Sequence, residues 1–167
     1  MCADSSASLR IVPATEHDVA VILGFIRKLA EYEKLSHQMA ATEELLRETL
    51  FGTRPVAEVL IAYLQNEPAG FALFFHNFST FLGRPGIYLE DLFVESVHRG
   101  KGIGKALLIE IAKIAKERNC GRLEWAVLDW NAPAIDFYRR LGAVSLDEWT
   151  LFRVTPEALV RNMGGPH

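Results

Sequence analysis

The sequence predicts an α/β domain built around one mixed β-sheet, and three observations carry that expectation. Strand-like and helix-like stretches follow one another in the order βααβββαβαβ. A glycine-rich turn joins the fourth strand of that series to a long apolar helix. The chain has 167 residues, 50% hydrophobic and 23% charged, which suits one domain with a packed core.

The elements follow from local signals. Residues 9–12 form a short strand, and Thr15 with Asp18 three residues on gives a capping box. Val19, Ile22, Leu23, Ile26, Leu29 and Ala30 then recur at helical spacing, carrying a helix to Glu31 or Glu33. Thr42, Glu43 and Glu44 open a second helix, because acidic side chains suit the positive end of its dipole; Gly52 and Pro55 end it. Residues 58–64 and 70–77 are strands joined by a hairpin turn at 65–68. The Ser-, Gly- and Pro-bearing stretch 78–86 is a loop, and 87–94 is the next strand. Ile103, Leu107, Leu108, Ile111, Ile114 and Ala115 mark the long helix, stopped by Asn119 and Gly121. A strand at 123–127, a helix at 131–141 and a last strand at 149–154 complete the order. Residues 1–8 and 161–167 are expected to be flexible ends around a domain spanning 9–160.

Composition narrows the function. Eighteen basic residues against 21 acidic ones give a net charge of −3, which argues against a broad nucleic-acid face. No apolar run approaches the ~20 residues of a membrane span, and no secretory signal opens the chain. Cys2 and Cys120 stand in no metal-ligand or disulfide pattern, so no metal and a cytoplasmic location are expected. His17, His37 and His76 are scattered without ligand spacing.

The sharpest signal is His98-Arg99-Gly100-Lys101-Gly102-Ile103-Gly104-Lys105, between a strand and a helix. No Ser, Thr, Asp or Asn caps this helix, so its first N–H groups are open to an anion. Glycines allow close backbone approach, and Arg99, Lys101 and Lys105 add positive charge. A solvated turn is the plainer reading, but three glycines with three cations favour a phosphate ligand. The P-loop pattern fails because Ala106 follows Lys105. The dinucleotide pattern fails because Lys105 stands where its third glycine belongs.

What fits is R-x-x-G-x-G, the acyl-CoA pyrophosphate turn of the GNAT N-acetyltransferases. Around it stand Leu29-Ala30-Glu31-Tyr32-Glu33-Lys34, Tyr88-Leu89-Glu90-Asp91-Leu92-Phe93-Val94, Ala126-Val127-Leu128-Asp129-Trp130-Asn131, Phe137-Tyr138 and Leu141-Gly142-Ala143. In that order they resemble the diamine (spermidine/spermine) and thialysine N-acetyltransferase branch of the superfamily. The resemblance implies a single-domain GNAT-like fold, its mixed central sheet flanked by helices on both faces. It implies acetyl-CoA as co-substrate, a small amine as acceptor, and a homodimer, with neither nucleic acid nor membrane as partner.

It also implies site residues. Leu92, Phe93, Val94, the turn from Arg99 through Gly100, Lys101, Gly102, Ile103 and Gly104 to Lys105, and Asn131, Pro133 and Ala134 are expected at acetyl-CoA. Tyr32, Glu33, Glu90 and Glu148 are expected at the amine. Tyr138 is expected as the acid that protonates the departing thiolate, and Glu90 as binder or base for the amine. The residues alone leave plainer roles open: Tyr138 as a core tyrosine, Asn131 as a helix cap, and 31–33 as a solvated helix end. Glu90 and Asp91 are adjacent, so the pleat is expected to send them to opposite faces, one ion-paired and one exposed. The stretch between Gly142 and Trp149 is shorter than in the diamine enzymes. Rival functions are a non-catalytic acyl-CoA-binding regulatory domain and a protein lysine or N-terminal acetyltransferase. Glu90 together with Tyr138 argues against the first, and the acidic rim of Glu31, Glu33, Glu90 and Glu148 against the second.

Overall fold

The computed structural model describes residues 8–163. These fall into two compact units divided between Leu128 and Asp129. The first holds β1 (Leu9–Pro13), α1 (Val19–Tyr32), α2 (Glu43–Phe51), β2 (Glu58–Leu64), β3 (Glu67–Ser79), β4 (Arg84–Val94), α3 (Ile103–Glu117) and β5 (Leu123–Trp125). The second holds α4 (Ala132–Arg140) and α5 (Pro156–Met163).

The five strands form one sheet in sequence order, antiparallel from β1 to β4 and parallel between β4 and β5. Both faces are covered, so β2 is apolar on both: Val59, Leu60, Ile61 and Ala62 are all buried. Val59, Ile61, Phe71 and Phe93 meet Val19, Ile22, Leu23 and Phe25 of α1 and Leu46 and Leu50 of α2. Phe25 stacks flat on Phe71, with ring centroids 5.3 Å apart, and locks α1 to the sheet. The alternate residues of β2 face the other way, where α3 crosses β1 to β4 and buries Ile103, Leu107, Leu108 and Ile111.

Helix starts follow their signals. The Asp18 carboxylate accepts from the Thr15 amide (2.7 Å) and hydroxyl (2.9 Å). Thr42 Oγ1 accepts from the Leu45 amide at 3.2 Å. The β2–β3 turn places Gln65 and Asn66 at φ 53° and 68°, the left-handed pair of a type I′ hairpin. Pro68 then lies beside a register shift at Ala62 and Tyr63, where a strand tolerates its missing N–H.

Three expectations change. The stretch 78–86 is mostly paired, because β3 and β4 continue through Asn77↔Gly86, Phe78↔Pro85 and Ser79↔Arg84. Ladder pairing overrides the turn-forming composition there, and Gly86 packs closely: a Cβ on it would lie 2.3 Å from Asn77 Oδ1, so that side chain would have to shift. β5 stops at Trp125 instead of Val127. Residues 149–154 make no strand; Trp149, Leu151 and Phe152 are 76%, 78% and 89% exposed. Apolar alternation alone does not make a strand; it needs a ladder partner, and the sheet of the described residues comprises β1 to β5. Beyond it Thr155 caps α5, its Oγ1 accepting from the Ala158 amide at 3.2 Å, so residues 161–163 are helical. Residues 1–7 and 164–167 of the expected ends lie outside the described residues.

Candidate functional site

The glycine turn follows β4 directly. Gly100 and Gly102 adopt φ of 78° and 80°, a region open to glycine and strained for other residues. Gly102 stands at the α3 N-cap with no side-chain cap. The first-turn amides of α3 have no intrahelical acceptors. A Cβ built on either glycine meets nothing within 4 Å, so the backbone of the turn faces open space. Arg99, Lys101 and Lys105 are exposed around it. The donor set therefore fits an anionic group.

Arg99 is held in place on three sides. Its Nε donates to the Val94 carbonyl at 3.0 Å. Its guanidinium carbon lies 4.7 Å from the Tyr32 ring centroid and 5.7 Å from that of Phe93. Tyr32 closes α1, so the end of the first helix meets the turn. The cation on the Tyr32 ring is this arginine. One turn earlier on α1, Lys28 makes an ion pair with Glu95.

Beside this contact lies a group of carboxylates, created by an irregularity in β4. Leu73 pairs with Asp91 and Phe74 with Leu89, leaving Glu90 as the extra residue of a β-bulge. Simple pleat alternation does not apply across a bulge. Asp91 shares the face of its partner Leu73, which packs on the α1 core, while Glu90 is exposed. Burial pushes the Asp91 carboxyl up to about 7, helped by the negative charges of Glu90 and Glu33. Burial also raises Glu33. Tyr88 is raised by burial, then by Glu90 and Glu124. The expected ion pair for one of the two adjacent carboxylates is absent among the described residues: the salt bridges there involve neither Glu90 nor Asp91. Asp91 was not among the candidates from sequence. Two consecutive carboxylates in an apolar strand were the signal, but only the bulge decides which one is half-buried and which is exposed.

The second unit is described by itself. Asn131 is buried and caps α4, its Oδ1 accepting from the Ala134 amide at 3.3 Å, with Pro133 in the first turn. Tyr138 is half-buried, its ring centroid 5.2 Å from that of Phe137. Ala134 and Phe137 share its partial burial, whereas Leu141, expected on the same inward face, is 41% exposed. Glu148 is exposed.

The fold also brings Cys120 near a histidine that sequence distance concealed: its Sγ lies 3.9 Å from His76 Nδ1. That imidazole is already committed. Arg118 can only donate, so His76 Nε2 accepts from it at 3.0 Å, and Nδ1–H faces the Gly86 carbonyl at 3.1 Å. The ring has no lone pair left to activate the thiol. Among the described residues no group of three or more His, Cys, Asp or Glu side chains is placed to hold a metal. No described helix is long and apolar enough to cross a membrane.

Comparison with known proteins gives the same picture. The Acetyltransferase (GNAT) family model matches residues 23–143. A thialysine N-epsilon-acetyltransferase of Bos taurus is 41% identical, over 95% of this chain and 99% of its own length. An L-ornithine N5-acetyltransferase of Arabidopsis thaliana is 35% identical, over 90% of this chain and 86% of its own. Among solved structures, an integron cassette protein from the V. cholerae mobile metagenome superposes with a TM-score of 0.79 at 29% identity, covering 95% of this chain and 99% of that one. Matched along most of its length by the family and by relatives of its own size, this chain belongs to the GNAT family and is an acetyl-CoA-dependent N-acetyltransferase.

Proposed function

We propose that the acceptor is a primary amine carried by a small cationic molecule of the thialysine, ornithine or diamine kind. The observation that carries this reading is the meeting of two chemistries at the end of α1. Tyr32 lies against the arginine of the anion-binding turn, and the next residue, Glu33, is near enough to Asp91 for its charge, with that of Glu90, to act on the Asp91 carboxyl. An acyl-CoA pyrophosphate suits the first and a polycation the second. The names of the two relatives, with small amino acids as acceptors, support the same class.

Each residue then has a task. The turn from Arg99 to Lys105 holds the pyrophosphate, and Leu92, Phe93, Val94, Asn131, Pro133 and Ala134 hold the rest of acetyl-CoA. Glu33, Glu90, Asp91 and Glu148 hold the cationic acceptor. A lysine-like amine has a reference pKa near ~10.4, so it must lose a proton before its nitrogen can attack the thioester carbonyl. Glu90 or Asp91 accepts that proton; as the new C–N bond forms and C–S breaks, Tyr138 donates one to the sulfur. From ammonium to amide the nitrogen gives up two protons, the first to Glu90 or Asp91 before attack and the second to water as the tetrahedral adduct collapses; sulfur gains one from Tyr138, which water reprotonates, so one proton is released overall.

The enzyme acts in the cytoplasm as a homodimer in this reading. Two cysteines without a disulfide pattern support the first point. The exposed Val144, Trp149, Leu151 and Phe152 support the second, since apolar surface of this density marks interaction sites.

A thiol-release assay over thialysine, ornithine, lysine, diamines, polyamines and a lysine peptide tests the proposal. Turnover is expected to be best with the small cations. A preference for the peptide would overturn the acceptor class, and acetyl-CoA binding without turnover on any amine would leave a regulatory domain.

A further inference from the structure

We infer that Tyr32 is a positioning residue for the donor: stacked on Arg99, it holds the guanidinium at the turn where the acetyl-CoA pyrophosphate binds. The inference rests on the proposed placement of that pyrophosphate and reassigns Tyr32 from the amine to the donor.

Arginine loses considerable rotamer freedom when it is fixed, so a free side chain at the turn would spend binding energy on ordering. Here much of that ordering is already complete. The Nε edge is tied to the Val94 carbonyl at 3.0 Å, and one face of the Tyr32 ring lies 4.7 Å from the guanidinium carbon. Phe93, at 5.7 Å, adds a second ring. The anchoring leaves the charge intact, because a ring face attracts a cation without neutralising it. A carboxylate in the same place would compete with the phosphates for the arginine.

The arrangement is built into α1. Lys28 and Tyr32 are four residues apart and so lie on one side of the helix. Glu95 and Arg99, also four apart, receive them at the end of β4 and in the turn. Two contacts therefore bind the last turn of α1 to the anion site, and the stacked phenylalanines Phe25 and Phe71 anchor the same helix to the sheet. A substitution at Tyr32 should reach the donor through Arg99 even when no amine is present.

Calorimetric titration of coenzyme A into the amine-free protein tests this. Tyr32→Leu is expected to weaken binding about three- to tenfold, the range of a partly exposed cation–π contact. Tyr32→Phe keeps the ring face and should bind as the wild type does. Arg99→Ala should weaken binding, and adding Tyr32→Leu to it should cost nothing further. Turnover of acetyl-pantetheine, which lacks the pyrophosphate, should be indifferent to Tyr32→Leu at saturating amine. If Tyr32→Leu lowers the melting temperature but leaves coenzyme A affinity unchanged while Arg99→Ala weakens it, Tyr32 is merely structural and the inference is wrong. If Arg99→Ala has no effect on coenzyme A, the pyrophosphate placement fails and takes the inference with it. Should Tyr32→Leu not fold, Tyr32→Met, which keeps bulk but removes the ring face, takes its place; unchanged coenzyme A affinity in that variant while Arg99→Ala weakens binding would overturn the inference.

Discussion

In the proposed site a single side chain, Asp91, links stability to amine use. Burial pushes its carboxyl up to about 7 in the folded chain, above the ordinary 3.8, so between those values the folded state holds a proton that the unfolded chain has released. Stability contributed by this group is greatest below the unfolded value and falls as pH rises towards 7, where it is fully lost. Asp91→Asn removes the ionisable group, so its gain in melting temperature should be small near about pH 4 and level off above about pH 7. Thermal melts across that window check the sign. In the proposed reading the ionised form serves the cationic amine, in company with Glu90 and Glu33. Amine kcat/KM in the wild type should therefore rise through an inflection near 7. In Asp91→Asn it should lack that inflection and fall about tenfold or more, the cost of a lost charge-assisted hydrogen bond.

Tyr138 offers a second test at this scale. Tyr138→Phe keeps the ring beside Phe137 and removes only the hydroxyl. If the phenol protonates the sulfur, kcat should drop about 10²–10⁴-fold with acetyl-CoA KM near wild type. A core tyrosine would instead give a lower melting temperature and normal turnover.

Among the elements, the turn and the bulge matter most. Gly102→Val should weaken acetyl-CoA binding, and the structure adds a second consequence. At φ 80° a β-branched residue is strained by roughly 1–2 kcal/mol, so the melting temperature should fall as well. Because open space surrounds the Cβ position, the affinity loss would report crowding of the ligand rather than collapse onto protein. Calorimetry at a temperature where the variant is folded separates the two effects. Phe71 is the packing test: it is fully buried under Phe25, so Phe71→Ala should cost about 3–5 kcal/mol in denaturant unfolding. That change would also loosen α1, and with it the element that carries Tyr32 and Glu33.

For the whole molecule, the proposed homodimer and the exposed apolar side chains of residues 144–154 make a joint prediction. Light scattering on the purified protein should give about twice the 18.7 kDa chain mass. Replacing Trp149 and Phe152 by serine should shift that mass towards the monomer. A wild-type monomer would remove the homodimer from the proposal.

The sequence by itself determined what depends on neighbours along the chain. The apolar spacing of 19–30, the caps at Thr15 and Thr42, and the uncapped glycine start of α3 are local, and the structure reproduces them. Family membership was legible for the same reason, since R-x-x-G-x-G and its companion segments are contiguous strings. Only the tertiary structure decided features that depend on registry between distant residues. The bulge in β4 exists because residues 70–79 of β3 run against residues 84–94 of β4, ten against eleven, and that mismatch, absent from either strand alone, leaves Asp91 half-buried and Glu90 exposed. The extended hairpin at 78–86 is likewise a matter of cross-strand pairing, which overrode a turn-like composition. The segment 149–154 shows the converse: its alternating pattern is local, but a strand needs an edge to join. Arg99 meets Tyr32 across 67 residues of sequence, because α1 and the turn end at the same place on the sheet. Short-range patterns fix propensity, whereas burial, charge and contact are settled by which distant backbone arrives alongside.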